Sequence, residues 1–184
     1  MTMAYLVQHG EKEHGPGDPG LTRAGRQQAA RTGEWLRGRE VRTLFSSPLR
    51  RAQETAGCIA PVTGLAIQTD ARLRERLNWD GSQPYEAFLA TWARTRDDRD
   101  LVAADGESSR QAGARLMEFL ASLPGTPGPV AAVTHGGVTI DLLCNLLGDD
   151  ALPPRLLAEG VPPCAITAVD DLTVVMIASV AHLS

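Results

Sequence analysis

Three times along the chain, a short β-rich apolar run breaks off at residues able to do chemistry and gives way to a helical pattern. Residues 4–8 (AYLVQ) end at His9-Gly10. Residues 41–45 (VRTLF) run into Ser46-Ser47-Pro48-Leu49-Arg50-Arg51, and residues 130–134 (VAAVT) run into His135-Gly136-Gly137. Strands that alternate with helices call for an α/β sandwich around a mostly parallel sheet. In such sheets ligands bind beyond the carboxyl ends of the strands. If the three strands are parallel neighbours, His9, Arg51 and His135 meet at one rim.

The remaining pattern fits the same architecture. Residues 22–37 are helical, with Leu21, Gly25, Gln28/Ala29, Thr32 and Leu36 on one face and Thr22 as N-cap. Ser47 as N-cap and Pro48 at the first helical position would open a second helix reaching about residue 60. Residues 65–69 form a short strand candidate, and residues 84–96 and 107–123 have helical spacing. Asp105-Gly106 marks a turn between those two helices. Residues 165–169 and 172–180 are two β-rich runs joined by an Asp170-Asp171 hairpin turn, which predicts one antiparallel edge. The expected fold is therefore a three-layer α/β/α sandwich in one domain spanning residues 1–184, with residues 70–105 as an irregular insert or lid.

Composition narrows the partners. The chain has 184 residues, 43% of them hydrophobic and 22% charged, enough to build a packed core. No apolar run approaches the roughly 20 residues of a membrane span, and residues 1–7 lack the features of a secretory signal. A net charge of −4 argues against nucleic acid as a partner. Three cysteines without CxxC spacing predict reduced thiols in a cytoplasmic protein, with Cys144 as a small core residue. Neither HExxH nor paired cysteines occur, so no metal is expected.

The residues at the predicted rim form an anion pocket with a nucleophile in it. A neutral imidazole attacks phosphorus well near pH 7. Gly10, beside His9, would leave room for a phosphoryl group. Arg51, in the first turn of its helix, would lean toward the strand end, and its guanidinium matches phosphate oxygens. His135 opens a helix, so the amides of Gly136 and Gly137 would add positive potential. A leaving alkoxide needs a proton. Glu75, in Leu73-Arg74-Glu75-Arg76, is the candidate acid, with Asp80 second. His14 reads as a loop residue and His182 as a tail residue. Trp35, Trp79 and Trp92 read as packing, with Trp79 close enough to Glu75 to line a pocket.

These residues stand in segments that, in order, resemble the histidine phosphatase superfamily, the phosphoglycerate mutase-like fold. LVQHGEK (6–12), LTRAGRQQAA (21–30), LFSSPLRRAQETA (44–56) and AVTHGG (132–137) carry the match, and LRERLNWDG (73–81) resembles the acid-bearing segment. The resemblance implies that His9 becomes a phosphohistidine, that Arg51 and His135 hold the phosphoryl group, and that Glu75 is the acid. It implies no metal and no organic cofactor. One position departs from the pattern: Gln8 stands where the family normally has arginine. An amide still donates hydrogen bonds to a phosphate, yet a lost charge-assisted bond costs on the order of 1.5–3 kcal/mol. Arg74 and Arg76 are the candidates to restore that charge.

The expected activity is hydrolysis of a small-molecule phosphomonoester. A phosphoglycerate-type mutase and a non-catalytic phosphoryl-binding protein, weakened by Gln8, are the alternatives. Nothing in the sequence sets the oligomeric state or the natural substrate.

Overall fold

The computed structural model describes residues 2–104 and 106–184. Its framework is a six-stranded sheet flanked by helices. In chain order the elements are β1 (Met3–Gln8), α1 (Arg23–Gly38), β2 (Thr43–Ser46), α2 (Arg50–Thr63), β3 (Ile67–Thr69), α3 (Tyr85–Asp97), α4 (Ser109–Ala121), β4 (Val130–Thr134), α5 (Gly136–Leu147), α6 (Pro154–Glu159), β5 (Ile166–Asp170) and β6 (Thr173–Ser179). The strand order is β3-β2-β4-β1-β5-β6. β3, β2, β4 and β1 are parallel, whereas β5 is antiparallel to β1 and β6 to β5. The predicted hairpin forms, its turn one residue later than expected, at Asp171-Leu172, both at positive φ (48° and 64°).

Alternation along the strands builds two cores. In β4, Val130 and Ala132 face one side with Ala4 and Leu6 of β1, where they meet Leu116 and Phe119 of α4 and Leu142 of α5. Ala131 and Val133 face the other side with Val7 and Leu44, against Leu36 of α1 and Ala52, Ala56 and Ile59 of α2. This is the expected α/β/α layering. A third cluster joins Leu143, Cys144 and Leu152 to residues of α6 and β6, so Cys144 is core as predicted. α6 has no counterpart in the sequence reading.

Thr22 caps α1 by accepting the Gly25 N–H at 3.0 Å. α2 differs from expectation. It begins at Arg50 with Leu49 at the cap position, so Ser47 is not its N-cap and Pro48 lies outside it. The Ser47 hydroxyl instead accepts the Leu49 N–H, ahead of the helix, and meets His135 Nε2. α4 starts with a capping box, in which Ser108 and Gln111 each bond the other's backbone N–H. The expected turn at Asp105-Gly106 depends on Asp105, which lies outside the described residues.

Candidate active site

The parallel registers bring the three strand ends together. Gln8 lies beside Thr134 across β1 and β4, and Ser46 beside Val133 across β2 and β4. One residue further on, the His9 N–H donates to Thr134 O at 3.1 Å and the Ser47 N–H to Val133 O at 2.9 Å. The chemistry-bearing residues therefore leave the sheet side by side. The rings of His9 and His135 stand with centroids 5.4 Å apart. Arg51, in the first turn of α2, lines the same cavity as His9 and Glu75.

Hydrogen bonds assign the two imidazoles different roles. His9 Nδ1 lies 2.8 Å from Gly10 O, an acceptor, so Nδ1 carries the proton and Nε2 the lone pair. Burial, followed by the charges of Arg51 and Lys12, lowers the His9 pKa from 6.5 to about 3, leaving the ring neutral. The Gln8 amide sits 3.3 Å from Nε2 and donates to that lone pair. His135 has no exposed surface. Its Nε2 meets Ser47 Oγ at 2.7 Å. Ser47 Oγ accepts the Leu49 N–H at 3.3 Å, and among the described residues its own hydrogen has His135 Nε2 as its one acceptor, so the hydroxyl is assigned as the donor. Burial and the Arg51 charge keep His135 well below its ordinary pKa, and in the neutral ring Nδ1 then holds the proton. That N–H has no partner.

Among the described residues, three buried side-chain polar atoms lack a hydrogen-bond partner: Gln8 Oε1, Arg51 Nε and His135 Nδ1. All three belong to residues predicted to bind phosphate. Buried polar groups are seldom left orphaned in a folded protein. One arm of Arg51 is held by Asn78 Oδ1 at 3.1 Å and Asp18 Oδ1 at 3.4 Å, which fixes the fork and leaves Nε unpaired. Lys12, the single lysine in the chain, also lines the cavity. Burial and, after it, the neighbouring Arg51 charge pull its ammonium below the ordinary value.

Glu75 is placed by the helix that follows His135. Its Oε1 accepts the N–H of Arg76 at 2.8 Å and of Val138 at 2.9 Å, and its Oε2 accepts the Gly137 N–H at 3.0 Å. The positive end of α5 thus holds a carboxylate. Oε2 has one partner only, so it retains a position for a proton. Asp80, the second acid candidate, is turned to Ser82 and does not line the cavity.

Other expectations are revised. A Cβ on Gly10 would lie 2.6 Å from Gly25 O, so Gly10 is small because α1 packs against it; its N–H donates to Thr55 Oγ1 at 3.0 Å. Gly136 abuts the Gln8 side chain, and the helix-end amides that hold an anion are those of Gly137 and Val138. Arg74 pairs with Glu107. Arg76 pairs with Asp141 at 2.9 Å in the interior, bonds Thr95 and lies 4.6 Å over the Trp92 ring. Neither arginine lines the cavity, because each neutralises a carboxylate elsewhere. His14 and Trp92 do line it, as Trp79 does. His182 is not a free tail residue: it bonds Thr32 at 3.0 Å and packs on Trp35.

The sequence reading did not assign functions to Ser47 or Lys12, and it did not anticipate the aromatic wall of α3. Ser47 was signalled by its position one residue past a strand end, and Lys12 by its place three residues after His9. Among the described residues no cluster of His, Cys, Asp or Glu is arranged to hold a metal ion, and no helix is long and apolar enough to cross a membrane.

Comparison with known proteins agrees with this geometry. Residues 4–170 match the family model of the histidine phosphatase superfamily (branch 1). A probable phosphoglycerate mutase of Salmonella arizonae is 34% identical, over 92% of this chain and 85% of that protein. A glucosyl-3-phosphoglycerate phosphatase of Mycolicibacterium vanbaalenii is 32% identical, over 78% of this chain and 73% of that protein. Among solved structures, a mycobacterial glucosyl-3-phosphoglycerate phosphatase in complex with inorganic phosphate superimposes with a TM-score of 0.79 at 26% identity, over the whole of both chains. With its motifs in order, its sheet of the expected topology and two imidazoles facing across one rim, the chain belongs to the histidine phosphatase superfamily.

Proposed function

We propose that the protein is a phosphatase that hydrolyses small-molecule phosphomonoesters through a phosphohistidine on His9. The observation that carries this reading is the set of unpartnered buried atoms, above all Arg51 Nε–H and His135 Nδ1–H, beside a neutral His9 whose Nε2 lone pair is met by the Gln8 amide alone. The likeness to named phosphatases supports it.

In the first step His9 Nε2 bonds to phosphorus as the ester P–O bond breaks. The Gln8 amide turns from Nε2 to a phosphoryl oxygen, and Glu75 protonates the leaving oxygen from Oε2. In the second step water attacks the phosphohistidine, Glu75 takes its proton, and the P–N bond breaks to restore neutral His9. Arg51, His135 and Lys12 hold the oxygens as charge shifts onto them, so positioning and electrostatics supply most of the rate. Lys12 takes the role that the arginine before the histidine has elsewhere in the family. Its ammonium is a point charge on a flexible stem, adequate for phosphate though without the fork of a guanidinium.

Residues 70–105 act as a substrate-facing insert of one domain, supplying Glu75 and α3. The free thiols of Cys58, Cys144 and Cys164 suit a cytoplasmic setting. A mutase reading draws on the likeness to a probable phosphoglycerate mutase. Against it, a mutase must grip a carboxylate and a second phosphate, whereas the cavity beyond Arg51 and Lys12 is lined mainly by aromatic and aliphatic side chains.

The test is turnover of a chromogenic phosphomonoester between pH 5 and 8. Release of phosphate that survives a chelator and is lost in His9→Ala supports hydrolysis. Turnover that requires a bisphosphorylated primer means a mutase, and tight binding without turnover means a phosphoryl-binding protein.

A further inference from the structure

The cavity holds about 580 Å³, room for a leaving group well beyond the phosphoryl itself. Its far side is built by α3, which turns Tyr85, Phe88, Leu89 and Trp92 toward the catalytic end. The rings form a ladder: Trp79 to Tyr85 at 5.0 Å, Tyr85 to Phe88 at 6.2 Å with planes 19° apart, and Phe88 to Trp92 at 6.1 Å. Only Thr95 of α3 is buried, while Tyr85 is 48% and Leu89 45% exposed. This helix spends its apolar face on the cavity rather than on the core.

Polar groups on that side are few: beyond the Tyr85 hydroxyl and the His14 imidazole, the side chains there that could bond a ligand are tied up. Asn78 uses Oδ1 for Arg51 and Nδ2 for Gly17 O at 2.6 Å, and Trp79 Nε1 donates to Gln83 O at 2.8 Å. A hydroxyl-rich leaving group would shed water and find few replacements, a net loss. A flat apolar ring would bury its faces against the ladder.

From this wall we infer that the substrate is a phosphomonoester whose leaving group carries an aromatic ring, stacked on Tyr85 and Phe88 while Arg51, Lys12 and the two histidines hold the phosphoryl group. The inference rests on the phosphatase reading and names its substrate class.

The experiment compares 2-phenylethyl, 2-cyclohexylethyl and n-propyl phosphate, whose alcohols are of similar acidity, together with glycerol 3-phosphate. Steady-state kcat/KM is measured on the wild-type protein, and Kd by calorimetry on His9→Ala. The phenyl ester is expected to exceed the propyl ester on the order of 10–100-fold in both quantities and to exceed the cyclohexyl ester. Tyr85→Ala and Phe88→Ala, at positions outside the core, should each shrink the phenyl-to-propyl ratio. Equal values for the phenyl and cyclohexyl esters, a preference for glycerol 3-phosphate, or a ratio unmoved by both variants would overturn the assignment. Absence of turnover on every ester, with the phenyl preference intact in Kd, would reject the phosphatase reading and leave the ring-binding wall standing.

Discussion

Glu75 and Gly137 are joined across 62 residues of sequence by a single hydrogen bond of 3.0 Å, from the Gly137 N–H to the carboxylate. Together with the Val138 N–H at 2.9 Å, it fastens the acid to α5, the helix that follows His135. A Cβ at Gly137 would fall into the Trp92 ring and 2.7 Å from Glu75 Oε1. Both obstacles are side chains, so the fold can accommodate Gly137→Ala by displacing them. The expected result is a near-normal Tm with kcat lowered about tenfold or more, since a misplaced general acid forfeits part of a 10²–10⁴-fold effect. Loss of the fold instead of kcat would show that the glycine serves packing alone.

Ser47 orients His135 and fixes its tautomer. Ser47→Ala leaves His135 Nε2 without its donor, so the ring is free to exchange tautomers and Nδ1 loses its assigned proton. A drop in kcat/KM of about 10–100-fold is expected, from the roughly 1–3 kcal/mol of an unsatisfied buried group. Because Ser47 does not touch the nucleophile, the phosphohistidine should still form. An unchanged kcat/KM would mean that His135 does not need this partner.

Lys12 and Gln8 form a testable pair. Lys12→Met should lower kcat/KM about tenfold or more, as a charge-assisted contact to phosphate is lost. Gln8→Arg should raise activity on generic phosphomonoesters, and it should raise it more in the Lys12→Met background than in the wild type. Additive effects would show that the two positions serve different parts of the substrate.

The histidines predict a pH dependence with a definite sign. His9 falls from 6.5 to about 3 on folding, and His135 also falls. Each is protonated first in the unfolded chain, so stability is full above about pH 6.5 and declines as the pH drops toward 3. An anion between the rings reverses that penalty by favouring the charged forms. Sulfate, a dianion throughout, should therefore bind more tightly as the pH falls toward the His9 value of about 3, by up to about tenfold per unit for each proton taken up. Calorimetry in buffers of different ionisation enthalpy reads the proton uptake directly. Affinity independent of pH would contradict an anion seated between the two rings.

What could be read from the chain follows from distance along it. His9, Arg51 and His135 were legible because each stands one to five residues past a strand end, and parallel pairing of β1, β2 and β4 then brings them to one rim. Glu75 was legible as a residue type, but its seat on α5 was not, because that contact closes a long loop. Arg76 looked like a free charge because its partner Asp141 lies 65 residues away. Ser47 looked like a helix cap because a serine before a proline usually is one, and only the tertiary contact with His135 decides otherwise. The apolar spacing of Phe88, Leu89 and Trp92 was visible, yet a pattern cannot say whether such a face meets the core or a cavity.

The central claim is covalent chemistry at His9, and it is tested by trapping the intermediate. Rapid quenching into alkali during turnover of a phosphomonoester, followed by peptide mass spectrometry, should find the phosphoryl group on the His9 imidazole and nowhere else. The adduct should disappear in His9→Ala together with phosphate release. A phosphoryl group on His135 or another residue, or full turnover in His9→Ala, would contradict the account.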